Sequence, residues 1–201
     1  LTSVIIPNSV TTIGKEAFQN CKSLINVNIP NSVTTIGEQA FAYCEKLTSM
    51  DIPNSLPTVA SGTFRDCKKL TSVNIRSGVK TIGMEAFKNC KSLSNINIPN
   101  SVTSIGESAF YHCDSLTNVN MPNSVKSIGR AAFSYCKKLV NVTIPNSLTT
   151  IESSTFSQCR SLKSIIIPNS VKSIENSVFS GCLSLTEINI PNSVKSIGQS
   201  A

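Results

Sequence analysis

Tryptophan is absent from this chain, histidine occurs once, at His112, and aromatic residues make up 5% of its 201 positions. Surfaces for single-stranded nucleic acid combine a basic track with exposed rings for base stacking, so the scarcity of rings argues against a nucleic-acid partner. No apolar stretch approaches the roughly 18 to 20 residues that a membrane-crossing helix needs, and the sequence does not open on a basic segment followed by an apolar run. Direct membrane insertion is therefore not expected. Cysteines separated by two to four residues, the pairing that zinc sites use, occur nowhere. Glycine-rich phosphate loops, a serine nucleophile elbow and paired carboxylate motifs are missing too. Neither an enzyme nor a bound cofactor or metal is expected. His112 beside Cys113 is the one pair that resembles a base and its nucleophile, but Cys113 belongs to a column of residues that reads as core.

That column is part of a strict period. Phenylalanine falls at Phe18, Phe41, Phe64, Phe87, Phe110, Phe133, Phe156 and Phe179, each step being 23 residues, and the eight cysteines from Cys21 to Cys182 keep the same step. Units that start at Leu1, Leu24, Leu47 and onward to Leu185 give eight full repeats and a ninth of 17 residues. A period of this length marks a solenoid, in which each unit buries its apolar edge against the next.

The unit reads approximately L-T-S-V-N-I-P-N-S-V-T-S-I-G-x-x-A-F-x-x-C-x-S. Unit positions 4 and 6, as in Val27 and Ile29, have strand spacing and point inward, while positions 3 and 5 point the other way. Pro-Asn-Ser then reads as a turn, and β-branched residues such as Val33 and Ile36 suggest a second extended stretch. Ala40, Phe41 and Cys44 follow Ile36 at +4, +5 and +8, which predicts one or two turns of helix. The fold class expected is α/β: a solenoid of strand, turn, extended run and short helix, spanning residues 1–201 as one domain. Stacked strands about 4.8 Å apart make nine turns on the order of 40 Å long. Successive thiols at that interval do not match the geometry of a relaxed disulfide, so the cysteines are expected to be free, buried fillers. Neither end of the pattern carries a polar capping unit, so the chain reads as a piece of a longer one, with end-to-end self-association as one consequence.

The frame L-x-x-V-x-I-P followed by x-x-I-G-x-x-A-F-x-x-C resembles the BspA-like, or Treponema-type, leucine-rich repeats, and the resemblance covers the whole chain. It implies a right-handed solenoid with a concave parallel sheet. It also implies an extracellular or cell-surface setting and a role in adhesion, with host or matrix proteins as partners; the polar outward face described next reads as a surface for a protein or a glycan.

The outward columns of the first strand are small, polar and almost uncharged. Asn95, Asn97, Asn118 and Asn120 form the most uniform block, which reads either as a hydrogen-bonding surface or as a ladder of amides bonded to one another. In unit four Arg76-Ser77-Gly78 replaces Pro-Asn-Ser, and Asp51, Arg65, Asp66 and Arg76 cluster in units three and four. The candidate binding residues are accordingly Asp51, Asn74, Arg76, Asn95, Asn97, Asn118 and Asn120. The formal charge of +7 gathers at unit positions 22 and 23, as in Lys46 and Lys138, and at position 11, as in Lys126. These are ridges on which an anionic partner could dock or which merely keep the surface solvated. Two functional readings stand: an interaction module at a cell surface, or a passive stalk, spacer or coat component.

Overall fold

The computed structural model describes residues 1–201 and places residues 23 apart directly above one another. First strands at Ser49–Ile52, Ser72–Ile75, Asn95–Asn97, Asn118–Asn120 and Asn141–Thr143 form a five-stranded parallel ladder with no slip in register. Ser3–Ile5 pairs with Asn26–Asn28 in the same register before it, and Ile166 bridges to Asn189 beyond it. A second ladder of two-residue strands runs alongside, pairing Thr58–Val59 through Ser127–Ile128 and, further on, Thr150–Ile151 through Ser196–Ile197. The strands are this short because each turn of the coil must bend away again within a few residues. Pro-Asn-Ser does the bending between the two ladders, closed by bonds such as Val102 N–H to the Pro99 carbonyl, 3.0 Å.

The third side departs from the sequence expectation, because the short helices are not there. In the second turn the N–H groups of Ala40, Ala42, Cys44 and Leu47 bond to the carbonyls of Gly37, Gln39, Phe41 and Cys44, each three residues back rather than the four of a helix. The intervening N–H groups of Gln39, Phe41 and Tyr43 instead bond to Ser61, Thr63 and Arg65 in the next turn, at 2.8 to 2.9 Å. Gln39 and Tyr43 have φ of 54° and 60°, the left-handed geometry that the third residue of a type II turn requires. The same two unit positions are left-handed along the chain, from Glu16 and Asn20 to Ser177 and Gly181. A non-glycine residue there is strained by roughly 1 to 2 kcal/mol. The bonds to the neighbouring turn offset that strain, which no isolated helix could do. The +4, +5, +8 spacing is met by linked turns that still aim alanine, phenylalanine and cysteine inward.

One continuous core results, running from Ile6 to Cys182. The phenylalanine rings stack from Phe18 to Phe179 with centroids 5.1 to 6.2 Å apart and planes within 12° of parallel. Beside them runs a row of free thiols, all buried except the half-buried Cys21. Each of the seven buried thiols donates to the carbonyl of the phenylalanine one turn earlier, as Cys90 Sγ does to Phe64 at 3.1 Å and Cys113 Sγ to Phe87 at 3.3 Å. Cysteine thus supplies a small apolar volume and a weak donor together. Serine at the end of Pro-Asn-Ser makes a comparable link, as in Ser101 to the Val79 carbonyl, 2.6 Å. In unit four that serine is Gly78, where a Cβ would collide with the Asn54 carbonyl below it.

Phe110→Ala should cost roughly 3 to 5 kcal/mol, whereas Asn97→Ala, on the exposed face, should cost about 1 kcal/mol or less; urea unfolding of the two variants checks the difference. Burial pushes the Cys44 thiol from its ordinary 9.0 up to about 12 and the Cys182 thiol to about 11. Unfolded thiols therefore lose protons first. Stability should be at its full value below pH 9.0 and fall as pH rises from there toward 11 to 12. Replacing both cysteines by alanine should lessen that fall, the remainder coming from the five other thiols that burial raises in the same way.

Candidate binding face

Alternation along the first strand fixes which side chains face outward. In Ser72–Ile75 the residues run exposed, buried, exposed, buried, and Asn95–Asn97 and Asn118–Asn120 show the same pattern around Ile96 and Val119. All seven candidate residues therefore stand on one face of the main ladder or at its border. What holds them there is the inward pull of Val73, Ile75, Ile96 and Val119 in the core, since a slip of one residue would turn every amide inward.

Asp51, Asn74 and Arg76 form one hydrogen-bonded group. Asp51 Oδ1 accepts from Arg76 Nε at 3.0 Å and from Asn74 Nδ2 at 3.0 Å, and Asp51 Oδ2 accepts from Arg76 Nη2 at 2.6 Å. Two parallel bonds between guanidinium and carboxylate give a strong, directional pair. Arg76 stands where the other units have proline, and its backbone N–H donates to the Ile52 carbonyl at 3.3 Å. Proline could not make that bond; it extends the strand by one residue and aims the arginine back across the turn below. The hydrogen bond from Arg76 is the largest reason that Asp51 is held below the ordinary carboxylate value of 3.8.

The four-residue asparagine block is in register: Asn95 is opposite Asn118 and Asn97 opposite Asn120. It is not a continuous amide ladder. Asn141 Nδ2 donates to Asn118 Oδ1 at 3.0 Å, and Asn118 Nδ2 turns to Thr117 Oγ1 at 3.1 Å, but Asn95, Asn97 and Asn120 have no side-chain partner in the chain. Their amides face solvent. An open hollow of about 400 Å³ is lined by Asp51, Asn74, Asn95 and Asn97 together with Ser49 and Ser72, so the two parts of the candidate set share a single surface.

Arg65 and Asp66 do not join Asp51 and Arg76. They lie on the linked-turn side, where Arg65 pairs with Asp66 at 3.3 Å and with Glu85 at 2.8 Å, and Asp66 accepts from Asn89. The four-residue cluster read from the sequence is two separate groups. His112 does not face Cys113 as a base: its Nδ1 sits 3.1 Å from Asp114 and its ring stacks on Tyr135 at 4.4 Å, while the Cys113 thiol is buried against Phe87. A feature the sequence reading passed over is a larger hollow of about 670 Å³ on the same face, bordered by Asn141, Thr143, Ser164 and Ile166. Ile166 is 83% exposed there. Its replacement of the usual asparagine at unit position 5 was the available signal.

Arg76→Ala should return the Asp51 carboxyl upward toward its ordinary value, as followed by NMR titration. The unfolding midpoint should hardly move, because the pair is half exposed and screened by solvent.

The sequence profile described as "BspA type Leucine rich repeat region" matches the chain over residues 1–116 and 80–201, with six copies. Among solved structures, a leucine-rich repeat protein from Bacteroides ovatus is similar at 33% identity and a TM-score of 0.76, over 98% of this chain and 48% of its own. The T. pallidum leucine-rich repeat protein is similar at 30% identity and a TM-score of 0.66, over 92% of this chain and 78% of its own. A leucine rich cell surface protein from Faecalibacterium prausnitzii is similar at 29% identity and a TM-score of 0.51, over 100% of this chain and 79% of its own. The chain thus spans about half the length of the Bacteroides protein. No curated protein sequence matches it. With the repeat frame, the parallel ladders and these similarities in agreement, the chain belongs to the BspA-type leucine-rich repeat family.

Proposed function

We propose that the chain is the recognition module of a cell-surface or secreted protein and that it binds a protein or glycan partner through the outward face of its main ladder, on the concave side of the coil. The observation that carries this reading is the block of Asn95, Asn97, Asn118 and Asn120, exposed and in register, most of whose amides have no partner inside the chain. An amide offers both donors and an acceptor, and a row of them repeating at about 4.8 Å presents the same hydrogen-bonding unit turn after turn. The Faecalibacterium relative, described as a cell surface protein, supports the location. The bonds from Asn141 to Asn118 and from Asn74 to Asp51 favour a second reading, a passive stalk or coat component whose surface satisfies itself.

The two readings part on binding. Immobilised extracellular-matrix proteins and a panel of glycans would be probed with the wild-type chain and with a variant in which the four asparagines are alanine. A bound component, with affinity at least tenfold weaker in the variant and an unchanged unfolding midpoint, is the expected result. Wild-type binding to none of the panel, or binding indifferent to the four changes, would sink the recognition reading.

A further inference from the structure

The edge bordering the main ladder carries almost all of the chain's excess charge. At unit positions 22 and 23 stand eight basic residues and two acidic ones, Glu45 and Asp114, a net +6 out of the chain's +7. Both acids are already neutralised, Glu45 by Lys68 at 3.4 Å and Asp114 by Lys137 at 3.3 Å. Lys22, Lys46, Lys69, Lys91, Lys138 and Arg160 are exposed and make no ion pair. From the first turn to the seventh they extend about 29 Å along the coil. Position 23 precedes the outward position 3 by three residues, so the charged edge lies within about 10 Å of the asparagine rows.

Charge on the face itself is arranged to match. Asp51 is the one acid among the outward positions of the first eight turns, and Arg76 cancels it through two bonds. Glu187, in the ninth turn, is the next, and it has no cation within pairing distance. The surface between Lys22 and Arg160 is therefore a strip of neutral amides and hydroxyls with one positive border.

We infer that the ligand of this face is a linear anionic glycan lying along the coil, its hydroxyls on the asparagine rows and its carboxylates or sulfates on the lysine edge. The inference rests on the recognition reading given above and names its ligand class. An extended chain of sugars presents hydroxyls at an interval close to that of the turns, and acidic groups along its margin meet the lysines. Protein partners are a poorer fit, because their interfaces centre on apolar and aromatic anchors, and the strip from Asn28 to Thr143 offers none, the exposed Ile5 and Ile166 standing one turn beyond its two ends. Nucleic acid would share the charge but lack rings to stack on, since no aromatic residue stands on the strip or its edge.

The test titrates the whole chain with a heparin-derived decasaccharide, an oligogalacturonate, its carboxyl-reduced neutral counterpart and an oligothymidylate of equal charge. Either anionic sugar should bind, more weakly as salt rises. Changing Lys46, Lys69, Lys91 and Lys138 to glutamine should weaken binding at least tenfold and flatten the salt dependence, at an unchanged unfolding midpoint. No binding of either anionic sugar at low salt overturns the inference, as does oligothymidylate binding equally well. Should the neutral sugar bind as tightly and lose affinity in the fourfold asparagine variant, the charged edge is dismissed and the recognition face stands. Anionic-sugar binding unaffected by the asparagine changes dismisses both.

Discussion

Backbone hydrogen bonding between residues one repeat apart is the constraint from which everything else in this molecule follows. The ladders, the ring stack and the thiol row are three expressions of the same 23-residue register. A single turn has no core, and its N–H groups outside the three-residue closures such as Ala40 to Gly37 have no partner; a neighbour in register supplies both at once. That is also why left-handed backbone persists at Tyr43, His112 and Tyr135, residues with bulky side chains that an independent turn would replace by glycine or asparagine. Removing the register would leave their strain without compensation.

The same lattice separates stability from recognition. Inward columns hardly vary, because a change in one turn is felt by the turns on either side. Outward columns can change with little effect on packing, and unit four shows the limits of that freedom. Arg76 gains a backbone bond that proline lacks and reaches Asp51, but two residues later only a glycine fits under the Asn54 carbonyl. A new surface group was accommodated by removing a side chain where two turns approach closely.

Much of this was legible in the sequence because the period is unbroken. The spacing of phenylalanine and cysteine gave the columns, and the alternation in Val73, Asn74 and Ile75 gave the buried and exposed sides of the strand. The linked turns were not legible. Ile36, Ala40, Phe41 and Cys44 have a spacing that a helix and a run of turns satisfy equally, and the choice rests on bonds to the next turn that no local pattern encodes. Asn20, Gly62, Asp66, Asn89, His112 and Gly181 hinted at left-handed backbone, diluted among glutamate, glutamine, serine, alanine and tyrosine. At the candidate face, shared charge suggested one cluster of Asp51, Arg65, Asp66 and Arg76. Two of the four lie in the linked-turn segment, and reading that segment as helix hid their separation from the strand.

The hydrogen bonds of a single turn point both ways along the coil. In unit four the N–H groups of Thr71, Lys80 and Gly83 reach back to Thr48, Pro57 and Val59, whereas those of Glu85, Phe87 and Asn89 reach forward to Glu107, Ala109 and Tyr111. Peptide dipoles aligned in a helix add into partial charges at its two ends; here the ladder bonds and the linked-turn bonds run against one another. A turn added to the stack must therefore meet donors along one side and acceptors along another, which fixes its orientation as well as its register.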